Sequence, residues 1–193
     1  MSFYPPKINE RFLEPTNAGK IESPSAVGTS GSFVCGAALK LFLQIEDGKI
    51  ITAKFQAAGC GFLFTAADTL CAGIENKTFA EIGKAVRANE NLFVAVFEND
   101  FPSDRTHCLE LCLEALRSAI NDYRAGKLES WNGDEALICT CFGVSETQIE
   151  AAIVKNGLTT VEEVTEICKA GGGCGSCQPL ILDVLDGVCR NSL

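Results

Sequence analysis

The sequence predicts an α+β fold, a small antiparallel sheet covered by helices and followed by a small helical unit. Three observations carry this: an alternating apolar pattern between Phe33 and Ala57, helical apolar spacing after Gly61, and a polar, glycine-punctuated stretch from Gly126 to Glu135. In the first, Phe33, Cys35, Ala37, Leu39, Leu41, Leu43 and Ile45 fall on one side, which is strand periodicity. Asp47-Gly48 supplies a pair that tolerates positive φ, and Ile51, Ala53, Phe55 and Ala57 resume the alternation, so the two runs form an antiparallel hairpin. After it, Leu63, Ala67, Leu70 and Ile74 repeat at helical spacing, which places Cys60 at a strand-to-helix turn. Thr78-x-x-Glu81 has the form of a capping box opening a helix with Phe79, Ile82 and Val86 inward. A further helix is expected from about Asp104 to Arg124, with Leu109, Cys112, Leu116, Ala119 and Tyr123 on one face, His107 and Cys108 in its first turn, and Gly126 past its end.

Residues 127–135 read as a linker, which divides the chain into residues 1–126 and 136–193. In the second part, Ser145-x-x-Gln148 and Thr160-x-x-Glu163 look like capping boxes, with Gly157 as the stop between their helices. Pro179 suits the first turn of a last helix carrying Leu180, Val184 and Val188 inward.

A length of 193 residues allows one ordinary domain plus a small one, and 47% hydrophobic residues is enough for a packed core. The net charge of −9 repels phosphate backbones and anionic lipid headgroups, so nucleic acid and membrane surfaces are poor partners. No apolar run approaches the roughly 20 residues of a membrane helix, and MSFYPPKINERF has no apolar centre of a signal peptide, so a cytoplasmic location is expected. Eleven cysteines, an odd number, then point to metal or catalysis rather than to disulfides, because the cytosol keeps thiols reduced. For the same reason the sequon at Asn76 is silent.

Cys139-x-Cys141 and Cys174-x-x-Cys177 are two close pairs, each on a loop beside a helix start. A [2Fe-2S] rhomb needs two thiolates on each iron, so each pair can clamp one iron. Gly171-Gly172-Gly173 leaves backbone N–H groups free to approach the sulfurs. A four-cysteine zinc site would use the same thiolates, and buried apolar cysteines are the bland alternative. The segment from Cys139 to Cys177 resembles the bacterioferritin-associated-ferredoxin type of [2Fe-2S] domain over about residues 136–190. That resemblance implies a small all-helical fold in which Cys139, Cys141, Cys174 and Cys177 hold one permanent [2Fe-2S] cluster.

Cys35 is expected on the first strand, Cys60 at the turn and Cys108 after His107; taken singly, each is more often a core cysteine than a ligand. However, SFVCGAALKLFL, QAAGCGF and RTHCLELCLEALRSAI are similar in order and spacing to the cysteine segments of the NifU and IscU scaffold family. The resemblance implies an IscU-like first unit in which Cys35, Cys60 and Cys108, with His107 an additional candidate ligand, hold a transient [2Fe-2S] or [4Fe-4S] cluster, iron or zinc. It implies iron–sulfur cluster assembly with sulfur from a cysteine desulfurase, transfer to apo-proteins including those of nitrogen fixation, and a homodimer. Three departures stand out: Ala37 where the family carries Asp, Phe101-Pro102-Ser103-Asp104-Arg105 where it carries a chaperone segment, and an end at Leu193 where NifU continues into a third Cys-x-x-Cys domain. Cys71, Cys112, Cys168 and Cys189 read as packing residues on or near apolar helix faces.

The resulting expectation is a scaffold and not an enzyme. Its rivals are a ferredoxin-type electron carrier and a zinc-binding regulatory or sulfur-acceptor protein.

Overall fold

The computed structural model describes residues 3–46, 48–87, 101–129, 131, 133 and 135–191. By internal contacts the chain divides into two units, Met1–Glu46 with Ile50–Lys77 and Lys84–Asp122, and Asp47–Lys49 with Thr78–Gly83 and Tyr123–Leu193.

In the first unit, α1 (Pro6–Leu13) leads to strands β1 (Ala26–Gly31), β2 (Ala38–Glu46) and β3 (Lys49–Ala58), then helix α2 (Gly61–Ile74). The three strands form one sheet in the order β1-β2-β3, and β1 pairs antiparallel with β2 from Ala26↔Leu43 to Gly31↔Ala38. The β2–β3 hairpin stands as expected; Gly48 takes φ +73°, while Asp47 lies outside the described residues. Leu39, Leu41, Leu43, Ala53 and Phe55 line the core side. Ile51 faces water and Ile50 is buried instead, because the start of β3 pairs with residues 76 and 77: Ile50 N–H donates to the Lys77 carbonyl at 3.0 Å and Asn76 N–H to the Ile50 carbonyl at 2.7 Å.

The strand expected from Phe33 begins only at Ala38. Residues 33–35 form a turn, so Cys35 sits on a connection and not on a strand. Hydrogen bonds local to Ser32 close this turn and override the apolar alternation.

Helix α3 (Phe79–Arg87) opens on the expected capping box. Thr78 N–H donates to the Glu81 carboxylate at 2.7 Å, and Glu81 N–H to the Thr78 hydroxyl at 3.2 Å. A 3₁₀ turn over Ser103–Arg105 precedes α4 (Thr106–Glu129). That helix does not stop at Gly126, so positions 127–129 of the expected linker are helical. One glycine costs only about 1 kcal/mol against alanine in a helix, and Lys127, Leu128 and Glu129 are good helix formers. The buried face of α4 is Cys108, Leu111, Cys112, Ala115, Leu116 and Ala119; Leu109 is only half-buried.

Two elements had no sequence counterpart. Helix α1 is held on α2 by Arg11, whose guanidinium pairs with the buried Asp68 carboxylate at 2.9 Å, and by Asn17 N–H, which donates to the same carboxylate at 2.7 Å. Strand β1 lies against α4, where Val27 N–H donates to Asp122 at 2.8 Å and Thr29 N–H to the Ser118 hydroxyl at 3.2 Å. These bonds satisfy the outward donors of an edge strand.

The second unit holds β4 (Leu137–Cys139), β5 (Val144–Ser145) and the helices α5 (Glu146–Asn156), α6 (Val161–Cys168) and α7 (Gln178–Asn191). Both capping boxes are formed, at Ser145 and Thr160, and Gly157 closes α5 at φ 64°. The unit is helical as expected and adds a two-stranded ribbon carrying Cys139 at its end. Pro179 lies in the first turn of α7. Ile181, Val184 and Leu185 point inward from this helix, whereas Leu180 is half in water. Among the described residues no helix is long and apolar enough to cross a membrane.

Candidate iron–sulfur centres

In the first unit, Cys60 lies two residues past the end of β3 and is the N-cap of α2, where its side chain makes no capping hydrogen bond. Cys108, in the first turn of α4, brings its sulfur to 4.0 Å from that of Cys60 and 3.6 Å from His107 Nε2. Burial, then the nearby Cys60, pushes the Cys108 thiol up to about 12. Cys35 is exposed, and hydrogen bonds from the Ser32 hydroxyl and the Ala37 amide lower its pKa. The structure therefore joins Cys60, Cys108 and His107 by contact and holds Cys35 within electrostatic range of them.

Sequence reasoning missed the support of this site. Gly61 N–H donates to the Tyr4 hydroxyl at 3.0 Å, and a Cβ at Gly61 would lie 2.8 Å from the Tyr4 ring. Tyr4 packs edge-on against Phe62 at 5.2 Å, and Arg105 lies over the other end of that contact, 5.7 Å from the Phe62 centroid. Its charge favours the thiolates of Cys35 and Cys108. No local pattern signals a bond between residues 57 positions apart.

In the second unit, Cys141 occupies the β4–β5 turn, and Cys174 and Cys177 the loop before α7. Cys141 and Cys174 sulfurs lie 3.5 Å apart. The Cys141 thiol donates to the Cys174 sulfur, and Cys139 is hydrogen-bonded with both Cys141 and Cys177. Cys141 is pushed up to about 12 by its bond to Cys139 and by burial. Cys177 is lowered to about 7 by the bond with Cys139 and, against burial, by the Gly171 amide. At Cys139 the bond with Cys141 favours the thiolate, but the bond with Cys177 and burial outweigh it and raise the pKa.

The loop is built for close approach. Gly171 takes φ +86°, and a Cβ at Gly173 would stand 2.8 Å from the Cys141 Cβ and 3.0 Å from its sulfur. The Thr165 hydroxyl ties the loop to α6 through the Ala170 carbonyl at 2.7 Å. Four free thiols in contact, amides of Gly171 and Cys174 aimed at them and a glycine cradle fit an anionic thiolate cluster. Among the described residues, however, no three His, Cys, Asp or Glu side chains close around one point as a single bound ion would require.

The remaining cysteines separate. Cys71 and Cys112 are fully buried, and Cys168 spends its thiol on the Val164 carbonyl at 3.1 Å, which is a packing role. Cys189 is exposed, against the packing expectation, although it stands one turn after the buried Leu185; it borders an open groove lined also by Ile153, Leu158 and Val188.

A family model described as NifU-like N terminal domain matches residues 3–130. The chain belongs to the NifU family. A second model, BFD-like [2Fe-2S] binding domain, matches residues 137–187. Among NifU relatives, the nitrogen fixation protein NifU of Nostoc sp. is 37% identical over 97% of this chain and 65% of its own length. The iron–sulfur cluster assembly scaffold protein IscU 1 of Archaeoglobus fulgidus is 34% identical over 86% of this chain and 99% of its own. The crystal structure of a NifU-like N-terminal protein from Brucella abortus matches 63% of this chain and 94% of that one, with 18% identity and a TM-score of 0.49. The chain spans 58–65% of the length of the NifU proteins it matches across nearly its whole extent.

Proposed function

We propose that the chain is a scaffold for iron–sulfur cluster assembly. The first unit builds a transient cluster and passes it to apo-proteins; the second keeps a permanent [2Fe-2S] cluster on Cys139, Cys141, Cys174 and Cys177. The observation that carries this is the coexistence of two separate thiol groups: an open one of Cys35, Cys60, Cys108 and His107, and a second whose four sulfurs are linked and met by backbone amides. An open, partly exposed set suits a cargo that must leave; an enclosed set suits a cofactor that stays.

The substrate of the first unit is iron with sulfur from a cysteine desulfurase. Reducing a persulfide sulfur to sulfide takes two electrons, which a resident redox cluster can relay. Recipients are apo iron–sulfur proteins, with nitrogen fixation as one setting, and the active form is a cytoplasmic homodimer with no enzymatic turnover of its own. A zinc-loaded first unit is the second reading. Two sulfurs each 2.3 Å from a tetrahedral zinc stand about 3.8 Å apart, and the 4.0 Å between Cys60 and Cys108 is close to that.

Anaerobic purification with Mössbauer spectroscopy and metal and sulfide analysis tests the assignment. Wild type should take up two distinguishable clusters, Cys177→Ala should lose the stable one, and Cys35→Ala should lose only the transferable one. Colourless protein that takes up no iron or sulfide on reconstitution would overturn the reading. Zinc in the first unit with an intact second cluster would favour the second reading.

A further inference from the structure

The last turns of α4, from Tyr123 on, belong to the second unit. Tyr123 packs edge-on against Phe79 at 5.4 Å, and the Lys127 carbonyl lies 3.7 Å from a Cβ built on Gly143, which takes φ +64° in the turn after Cys141. Arg124, half-buried, stands between these two contacts on the helix. Among the described residues its Nε is a side-chain nitrogen shut off from water without a hydrogen-bond partner. A buried donor left unpaired is costly, more so on a charged group, and native structures keep one where an ion or a redox role gives it a use. The four-thiol site is within its electrostatic reach. The bond to Cys139 and then burial push the Cys141 thiol up to about 12, and the Arg124 charge opposes that rise.

We propose that Arg124 is the counter-ion of the second unit's [2Fe-2S] cluster, its guanidinium offsetting the negative charge on the Cys141 side and making the cluster easier to reduce. The inference rests on the permanent-cluster reading above and adds what sets the potential of that cofactor. Four thiolates and two sulfides outweigh two ferric ions, so the oxidised cluster is an anion, and the electron it accepts adds a further negative charge. A cation kept out of water beside it is screened little by solvent or salt and favours the more negative, reduced form. The amides of Gly171 and Cys174 also meet the sulfurs, but an amide carries no net charge. Arginine suits the position because its charge persists when buried. In the metal-free chain the same guanidinium faces a protonated Cys141 and has no anion to meet. It therefore burdens the empty protein and stabilises the loaded one, a reversal that separates a counter-ion from a residue kept for packing.

The test is an anaerobic redox titration of the full loaded chain, followed by the electron paramagnetic resonance of the reduced cluster, with Cys35→Ala throughout so that the second cluster alone is read. In Arg124→Met, which keeps the length and loses the charge, the ratio of reduced to oxidised cluster at a fixed potential should fall about tenfold, equivalent to about 59 mV for one electron. Arg124→Lys keeps a charge and should lower the ratio by less than about threefold, while Lys155→Gln, on the exposed flank of α5, should change it by less than about twofold. Urea unfolding of the metal-free Arg124→Met chain should give a midpoint no lower than that of the metal-free parent. An Arg124→Met chain of normal metal-free stability that cannot keep its cluster, with the cluster restored in Arg124→Lys, is the stronger form of the same result. An unchanged ratio in Arg124→Met, an equal fall in Arg124→Lys or Lys155→Gln, or a lower metal-free midpoint, which assigns Arg124 to packing, would each overturn the proposal. The two levels stay separable. Four thiols that load only zinc, or nothing, in the wild type remove the permanent-cluster reading and the counter-ion with it; a [2Fe-2S] cluster whose reduction ignores Arg124 removes the counter-ion alone.

Discussion

Ala37 shows how one side chain sets the character of a site. It is 6% exposed, follows the Cys35 turn directly, and its Cβ would lie 3.3 Å from a Cβ built on Gly59, next to Cys60. A methyl group there offers no oxygen to iron, so under the proposed scaffold function the donors would come from Cys35, Cys60, Cys108 and His107 or from a second copy. Ala37→Asp introduces a carboxylate into a confined space beside the exposed thiol. There it can compete for iron and loosen the hold of sulfur. We predict that cluster transfer from the first unit to an apo-ferredoxin, followed by circular dichroism, becomes about fivefold faster, a change of about 1 kcal/mol in barrier. Transfer no faster than wild type would mean that the missing carboxylate is irrelevant to release.

At the scale of elements, β1 and α4 show why part of the fold was readable and part was not. The three capping boxes and the Gly157 stop were legible because each is a contract between residues three to five positions apart. Strand β1, AVGTSG, carries no apolar alternation, since it meets α4 at the level of the backbone and takes its bonds from Ser118 and Asp122, some 90 positions away. Helix α1 was hidden for a similar reason: it buries Ile8 alone and depends on Asp68, 57 positions from Arg11. The paired cysteines of the second unit were legible because each half of that site is local. The Cys35 turn was misread as strand because its alternation is real but Phe33 points into water. Two glycines test this account with opposite signs. A Cβ on Gly28 would run into the Ala115 carbonyl and the Ala119 backbone, with the Ala119 Cβ at 2.8 Å, so Gly28→Ala should destabilise the first unit by about 3 kcal/mol in thermal unfolding. Gly126 has open space around it in the last turn of α4, so Gly126→Ala should stabilise that helix by up to about 1 kcal/mol. A harmless Gly28→Ala would mean that the close approach of strand and helix is not what holds β1.

Over the whole molecule, the buried thiols make stability depend on pH in a way that iron should change. Burial raises the pKa of Cys71, Cys108 and Cys112, and hydrogen bonding to Cys139 together with burial raises that of Cys141, whereas Cys177 is lowered to about 7. In the unfolded chain all of them titrate near about 8.5. Above that pH the unfolded state sheds protons that the folded state keeps. Each raised thiol therefore removes about 1.4 kcal/mol of stability per pH unit until its own folded pKa is reached. Cys177 acts in the other direction: its contribution is present above about 8.5 and is lost as pH falls through about 7. Urea unfolding of the reduced, metal-free chain should accordingly give its highest midpoint near pH 8.5 and a clearly lower one at pH 10.5, with a smaller decline towards pH 7. Cys141→Ala should flatten the alkaline slope by the share of one thiol. Ligation holds thiols deprotonated at neutral pH, so loaded protein should keep only the alkaline share of Cys71 and Cys112, and its profile from pH 8.5 to 10.5 should be flatter than that of the metal-free chain. A midpoint that stays level or rises on the alkaline side of the metal-free profile would show that these thiols are not sealed from water, and would remove the distinction drawn between the packing cysteines and the ligand set.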